Sequence, residues 1–537
     1  MSQNHLIKKL SGLNTASHRF LSPIVSGTLL ILASPDFDLF PLAFIGLIPL
    51  YLSIRDARPL QAAAMGWLMG FVFIFGGSLW WVPLLENFAN LPRLSSIGLT
   101  IAICAYQALT YLLWGGICSL LARRCRLNWL IIAPFCIVIA ETAIPFIFKT
   151  YLAITVWRAW PLIQIAEIGG PPAVSALIVS GNLIIAEAVP ALRKQGMPGK
   201  AAKIGAAVFV FILILGWIRA GHIAVVRKKA AALQVGMVQP NFGIVSAEER
   251  KINGDKYIRA LRRASVMLAE QNAELIVWPE SSWPYLFDRQ MKQAYPPGHP
   301  WELRPGVKGR LLFGALTHTF GGADVYNSAV LVSESRAIAG RYDKTHLVPF
   351  AEYIPFGETF PQAAERCRTK LPDWPDIVSG ESPQILCDDG LHIGMLICSE
   401  DMNMNFAHEI ARQKPNLLVS IASDAWFGES AAARQHLALA SFRAVETRRD
   451  FIRCTNTGVS VVIDALGRVK SEGPLIDVPV NEPQPAMALM DKVRLSDVFA
   501  PGPYVARFFP YGCLVLLVAI ISLNRRSKRS AKSVQSV

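Results

Sequence analysis

The chain has 537 residues, 52% of them hydrophobic and only 17% charged, with a mean hydropathy of +0.36 and a formal net charge of +14. That composition excludes an ordinary soluble globular protein and points to the membrane class. A nucleic-acid surface is the other use for such charge, but the basic residues track the ends of apolar segments instead.

A spanning helix needs about 20 mainly apolar residues. Eight stretches are candidates, about 20–35, 39–54, 62–85, 95–121, 127–148, 162–190, 203–221 and 507–524. The first two are short and joined by SPDFD, which predicts a tight hairpin; an apolar run ending in Ala33-Ser34-Pro35 has signal-peptide features, but the second apolar segment directly after it favours retention. Positive charge falls in alternate connections: Lys8, Lys9 and Arg19; Arg55 and Arg58; Arg123, Arg124 and Arg126; Arg193, Lys194, Lys200 and Lys203; then Arg525, Arg526, Lys528, Arg529 and Lys532. The positive-inside pattern predicts both termini in the cytoplasm and residues 222–505 on the other side. Arg227, Lys228 and Lys229 follow the seventh stretch on that outer side, where phosphate headgroups are one partner for them. Glu141, Glu167 and Glu187 fall within spans and read as interfacial or helix-paired carboxylates. The predicted organisation is a membrane domain of about seven helices (1–222), an outer domain (223–505), and a last span with a basic tail (506–537).

From about 231 the pattern becomes soluble. AALQVGMVQPN reads as a strand, 246–272 as an amphipathic helix capped by Ser246, and ELIVWPE as a short buried strand ending in Glu280. GRLLFGALTHT and YNSAVLVSES read as strands, followed by the basic YDKTHLVPF. LHIGMLICSE reads as a buried strand, NFAHEIARQ as a helix, NLLVSIASDAWF as a strand running into a loop, and ARQHLALASFRAVETRRD as a helix. FIRCTNTGVSVVIDALGRVK reads as a strand pair turning at Asp464–Gly467. Strands alternating with helices, several of them apolar on both faces, predict an α/β sandwich. The apolar segments SSWPYLF (281–287) and LVPFAEYIPF (347–356) are candidates either for dipping into lipid or for ordinary core packing.

Nine cysteines are present. Cys104, Cys118, Cys125, Cys136 and Cys513 lie in or beside apolar spans; Cys367 and Cys387 are close enough in sequence to bridge. No Cys/His spacing predicts a zinc site, no glycine-rich phosphate loop is present, and no cofactor is expected. Alone, Cys398 reads as a small buried apolar residue. Glu280, Lys344 and Cys398 change that reading together, because each stands at or just beyond the end of a predicted strand, where α/β folds open into a ligand crevice. A carboxylate to take the thiol proton, a thiolate to attack and an ammonium to steady the oxyanion are the parts of acyl transfer. His392 lies six residues back in the strand of Cys398, so a Cys–His arrangement is weak.

The segments WPE, YDK and LICSE resemble, in order, the three catalytic segments of the carbon–nitrogen hydrolase (nitrilase) superfamily. LVPFAEYIPF, SDAWFG, a QH followed by RAVETR, and TNTG are similar to its membrane branch, the apolipoprotein N-acyltransferases. The resemblance covers nearly the whole chain. It implies an αββα sandwich outside the membrane, with Cys398 as nucleophile, Glu280 as general base and Lys344 as oxyanion stabiliser, and with Glu352, Glu400 and Asn327 in support. It also implies a phospholipid acyl donor, a diacylglyceryl lipoprotein acceptor, a Cys thioester between them, and the inner membrane of a Gram-negative-type bacterium. A monomer is the default expectation. Two positions depart from the branch: Ser399 stands where an aromatic is usual, and Lys251 is followed by Ile252 where tryptophan is usual. A membrane-bound hydrolase of the superfamily and a non-catalytic lipoprotein-binding homologue are the alternatives.

Overall fold

A computed structural model describes residues 21–146, 148–193, 198–243, 247–304, 306–357, 359–369, 376–475 and 486–534. Ser246, the predicted cap, and the basic residues Lys8, Lys9, Arg19 and Lys194 lie outside them. Two compact units are present: Met1–Leu79 with Ile97–Arg219 and Val505–Val537, and Trp80–Ser96 with Ala220–Tyr504.

The helices run, in chain order, α1 (Leu21–Ala33), α2 (Ile48–Ile54), α3 (Pro59–Gly77), α4 (Trp81–Ala89), α5 (Arg93–Gln107), α6 (Leu109–Cys125), α7 (Trp129–Ala143), α8 (Ala166–Arg193) and α9 (Lys200–Lys229). Five helical stretches among the described residues are long and apolar enough to cross a membrane: Pro59–Gly77, Arg93–Cys125, Ile163–Val189, Lys200–Lys229 and Gly502–Arg526. Leu21–Ala33, Phe40–Ile54 and Trp129–Ala143 are shorter apolar helices. This is a membrane protein. Small residues let α3 and α6 approach closely: a Cβ on Gly66 would stand 2.3 Å from the Tyr111 carbonyl oxygen, and one on Gly115 2.6 Å from that of Ala62. The carboxylates within spans are partnered. Glu141 accepts from the Leu152 N–H and Ser175 Oγ, Glu167 pairs with Arg219 at 2.8 Å, and Tyr51 donates to Glu187 at 2.6 Å.

Two boundaries differ from expectation. The stretch predicted as one span over 62–85 ends at Gly77, and α4 follows as a separate short helix in the second unit. Gly76 and Gly77 are poor helix formers, and Pro83 is tolerated only in the first turn of a new helix. Arg227, Lys228 and Lys229 form the last turn of α9 rather than a loop. Arg227 is no headgroup ligand: it grips Asp450 with both Nε (2.7 Å) and Nη2 (2.6 Å).

The second unit is built on two sheets. Its strands are β1 (Ala231–Gln239), β2 (Leu275–Val277), β3 (Trp283–Asp288), β4 (Arg310–His318), β5 (Val325–Val332), β6 (Ile338–Asp343), β7 (Ile385–Asp388), β8 (Leu391–Ile397), β9 (Leu417–Ala422), β10 (Phe451–Thr455), β11 (Val461–Ile463), β12 (Val469–Glu472) and β13 (Met487–Leu495). One seven-stranded sheet has the order β13-β1-β2-β4-β5-β6, with β3 also on β4; the six-stranded sheet runs β12-β11-β10-β9-β8-β7. In the six-stranded sheet β8, β9 and β10 are parallel, from Ile393↔Leu417 and Phe451↔Leu418 onward. Every residue of β9 and β10 is buried, as befits strands covered on both faces. The two sheets meet at Cys454 of β10, whose thiol donates to the carbonyls of Val238 and Val277. Helix α10 (Ala247–Glu270) covers the first sheet through a core including Leu261, Leu268, Trp278 and Phe313. Beyond the short α11 (Pro361–Arg368), helices α12 (Met404–Arg412) and α13 (Ala431–Thr447) cover the second, capped by Asn403 and Ser430; α14 (Gly502–Val505) and α15 (Phe509–Val534) end the chain. The result is the expected αββα sandwich.

β3, β6, β7 and β13 lie outside the predicted strands. Of SSWPYLF, residues 283–287 belong to β3, with Trp283 and Phe287 in the core. FIRCTNTGVSVVIDALGRVK makes three strands, because residues 456–460 loop out between β10 and β11 and the turn at 464–467 joins β11 to β12. Cys387 is an exposed free thiol; the side chain of Cys367 lies outside the described ones.

Candidate active site

Three strand ends converge. Glu280 follows β2, Lys344 follows β6 directly, and Cys398 follows β8 directly. Apolar burial anchors each strand, and the first polar residue beyond it is held in place. Cys398 opens a tight helical turn (Cys398–Met402) and carries φ +54°, a left-handed conformation costly for a side chain other than glycine. The strained turn leaves Cys398 partly exposed at the head of its strand.

Lys344 Nζ lies 2.9 Å from Glu352 Oε1 and 3.5 Å from Glu280 Oε1. Asn327 of β5 donates its Nδ2 to both carboxylates, at 2.7 Å to Glu280 and 3.1 Å to Glu352. Glu352 also receives the Val348 N–H, so it turns the 344–352 loop back onto the lysine. The Cys398 thiol lies close enough to feel the charges of both Glu280 and Lys344.

The electrostatics follow from that packing. Burial raises the Glu280 carboxyl and Glu352 adds to the rise, against the opposing pull of Lys344. Burial pulls the Lys344 ammonium down, but Glu352 and Glu280 outweigh it and hold it well above the usual lysine range. Burial, then the Glu280 charge, pushes the Cys398 thiol well up, with Lys344 working the other way. The resting site therefore favours a neutral thiol beside a carboxylate and an ammonium.

Glu400 is fully buried and braces the turn. Its Oε2 accepts the Ile397 N–H, and its Oε1 accepts Tyr342 Oη and the N–H groups of Thr345 and His346. It thereby ties the Cys398 turn to the Lys344 segment; burial lifts its carboxyl to about 7 against those donors. The structure thus brings all six sequence-predicted residues into one cluster. Ser399 is half-buried and Ile252 is 73% exposed.

Sequence reasoning missed that α4, with Trp80 just before it, belongs to this unit. Helix α4 joins this unit through aromatic contacts, Trp80 with Phe427 (5.3 Å) and Phe88 with Trp426 (4.9 Å), and Trp80 Nε1 donates to Gln435. The strings SDAWFG and QH carried that signal, but their partner lies more than 330 residues earlier.

Such a sandwich, with a carboxylate, an ammonium and a thiol at its strand ends, defines a carbon–nitrogen hydrolase domain, and the model of the carbon-nitrogen hydrolase family matches residues 229–475. The model of the apolipoprotein N-acyltransferase N-terminal domain matches residues 26–184. The apolipoprotein N-acyltransferase of Azotobacter vinelandii is 30% identical over 95% of this chain and 96% of its own length. That of Geobacter metallireducens is 28% identical over 95% of this chain and 96% of its own. Among solved structures, Saccharomyces cerevisiae Nit3, a member of branch 10 of the nitrilase superfamily, is 16% identical over 52% of this chain and 94% of that one, with a TM-score of 0.34. The chain belongs to the apolipoprotein N-acyltransferase family and is an acyltransferase that N-acylates lipoproteins.

Proposed function

We propose that the enzyme works in two steps through a thioester on Cys398. Glu280 takes the thiol proton as the sulfur attacks the acyl carbonyl carbon of a membrane phospholipid. Lys344 stabilises the oxyanion. The ester C–O bond breaks, and the lysophospholipid leaves with the proton from Glu280. In the second step the α-amine of a diacylglyceryl-cysteine attacks the thioester, Glu280 takes the amine proton, the C–S bond breaks, and the thiolate regains its proton. The products are an N-acylated lipoprotein and free enzyme.

The observation that carries this reading is the Glu280–Lys344–Cys398 cluster gathered at three strand ends, with the ammonium 3.5 Å from the Glu280 carboxylate. A thiol raised so far ionises only as its proton is removed, which suits general-base attack rather than a standing thiolate. Glu352 and Asn327 set the positions of Lys344 and Glu280, and Glu400 sets the turn. The chain then divides at 1–222, 223–505 and 506–537. It sits as a monomer in the inner membrane of a Gram-negative-type bacterium, with the acyl-transfer domain periplasmic and both termini cytoplasmic, as the alternation of basic clusters supports.

Intact-mass measurement of the protein in phospholipid micelles tests the reading. One hydroxylamine-labile acyl chain on the wild type, absent from C398A and cleared onto an added diacylated lipopeptide, is the expected result. Release of free fatty acid without transfer would mark a hydrolase instead, and no adduct from any donor would sink the thioester.

A further inference from the structure

Behind the nucleophile turn lies an ionic cluster that the acyl-transfer steps do not use. Asp401 shares the helical turn of Cys398, Asp424 follows β9, His436 lies in α13 and Arg453 in β10, and none is more than 1% exposed. His436 Nε2 is 2.8 Å from Asp401 Oδ1, and its Nδ1 is 3.0 Å from Asp424 Oδ1. Arg453 reaches the same two carboxylates, at 3.2 Å and 3.0 Å, and Ser420 donates to Asp401. Arg453 Nη2 also stands 2.9 Å from His436 Nδ1, a close approach of two donors offset by the carboxylate they share.

With a carboxylate oxygen at each ring nitrogen, the imidazole satisfies both by carrying two protons. Burial and Arg453 push its pKa down, but Asp401 and Asp424 prevail and lift it to about 9. Two anions and two cations then close a neutral cluster. Its carboxylates belong to different strand ends, one on the Cys398 turn and one on the loop bearing Trp426 and Phe427. A third loop is fitted to them: Gly458, at φ +99°, packs so tightly that a Cβ would stand 2.4 Å from Asp424 Oδ2. Asp424 raises the Cys398 thiol, so the balance of this cluster reaches the sulfur.

We propose that His436 is a positioning residue for acyl transfer: as a buried imidazolium bridging Asp401 and Asp424, it locks the Cys398 turn to the 424–427 loop and cancels negative charge that would oppose ionisation of the thiol. The inference rests on Cys398 being the nucleophile. It is the charge, beyond the packing, that distinguishes this role from a structural one. His436→Gln leaves the cluster net negative, Asp401→Asn leaves it net positive, and the double substitution is neutral again.

The test uses the full-length protein in phospholipid micelles, reading the rate of acyl-adduct formation on Cys398 by intact mass and thermal stability beside it. H436Q should acylate slower by on the order of tenfold, the size of one nearby uncompensated charge. D401N/H436Q should regain most of that rate while its Tm stays low, since the hydrogen bonds are still missing. Should H436Q not fold, D401N against the double variant reads the same charge: iodoacetamide, followed at the Cys398 peptide, should react faster in D401N. Wild-type acylation by H436Q, a double variant no faster than H436Q, or equal alkylation of D401N and the double variant would overturn the proposal. A C398A protein that still transfers acyl chains would instead overturn the nucleophile assignment beneath it.

Discussion

Gly314 of β4 lies directly against the backbone of Glu280: a Cβ there would stand 2.6 Å from the Glu280 Cα and 2.5 Å from the Pro279 carbonyl oxygen. The absent side chain lets β4 run under the turn that presents the carboxylate, and the Gly314 N–H donates to the Pro279 carbonyl at 3.2 Å. Gly314→Ala must therefore move Glu280. Overpacking of this kind costs about 1–3 kcal/mol. Because the displaced group is the proposed base, transfer activity should fall at least tenfold at temperatures where the variant stays folded. Normal turnover in a folded G314A enzyme would show that the Glu280 position tolerates displacement.

Glu352 bears on the pH profile. Glu280 must be ionised to take a proton, so activity rises with pH through its pKa. Burial, against the opposing pull of Lys344, raises that pKa, and the Glu352 charge raises it further. Glu352→Gln removes the like charge, so the acid limb should move to lower pH. Lys344 also loses its 2.9 Å ionic partner. With a charged hydrogen bond contributing about 1.5–3 kcal/mol, plateau activity should drop by about tenfold to a hundredfold. A kcat/KM–pH profile of E352Q displaced upward would contradict this electrostatic account.

Lys344→Met leaves Glu280 and Glu352 buried together without their cation. Removing one partner of a buried pair costs about 3–5 kcal/mol. Glu280, raised by burial and no longer pulled down by the lysine, should then titrate higher in the folded than in the unfolded protein, so the variant gains stability as pH falls. The Tm deficit against wild type should be large at pH 8 and shrink toward pH 5, and acyl transfer should be lost at both. A deficit independent of pH would mean that the lysine acts by packing alone.

Arg227 should matter for folding rather than for chemistry. Asp450 is fully buried; besides the two-pronged grip of Arg227 it accepts the N–H groups of Ala465 and Arg494. Arg227→Ala strands that charge and should cost about 3 kcal/mol. R227A/D450N should recover part of the loss, measured by thermal unfolding in detergent. A double variant less stable than either single one would rule out charge stranding as the cause.

The sequence by itself determined the apolar spans, the soluble stretch between them, and the three strand ends bearing Glu280, Lys344 and Cys398. Each is a local pattern: about 20 apolar residues, or a short apolar run that stops at a functional side chain. It did not reveal β3, β6, β7 and β13, because short or half-polar strands take their identity from a neighbour. β13 pairs with β1 in the register Ala231↔Leu495, across more than 260 residues. The break after Gly77, which releases α4 to join the second unit, was likewise hidden by continuous hydropathy.

Tertiary structure alone decided which charges meet. Glu352 read only as a supporting acid without a partner, and folding gave it Lys344; Arg227 had phosphate headgroups as one candidate partner, and folding gave it Asp450. The cluster of Asp401, Asp424, His436 and Arg453 draws one charge from each of four separate elements. Hydrophobic burial repeats along the chain and leaves a periodic trace in the sequence. A buried ion pair leaves none, since its stability depends on a distance between residues that only the packed sheets bring together.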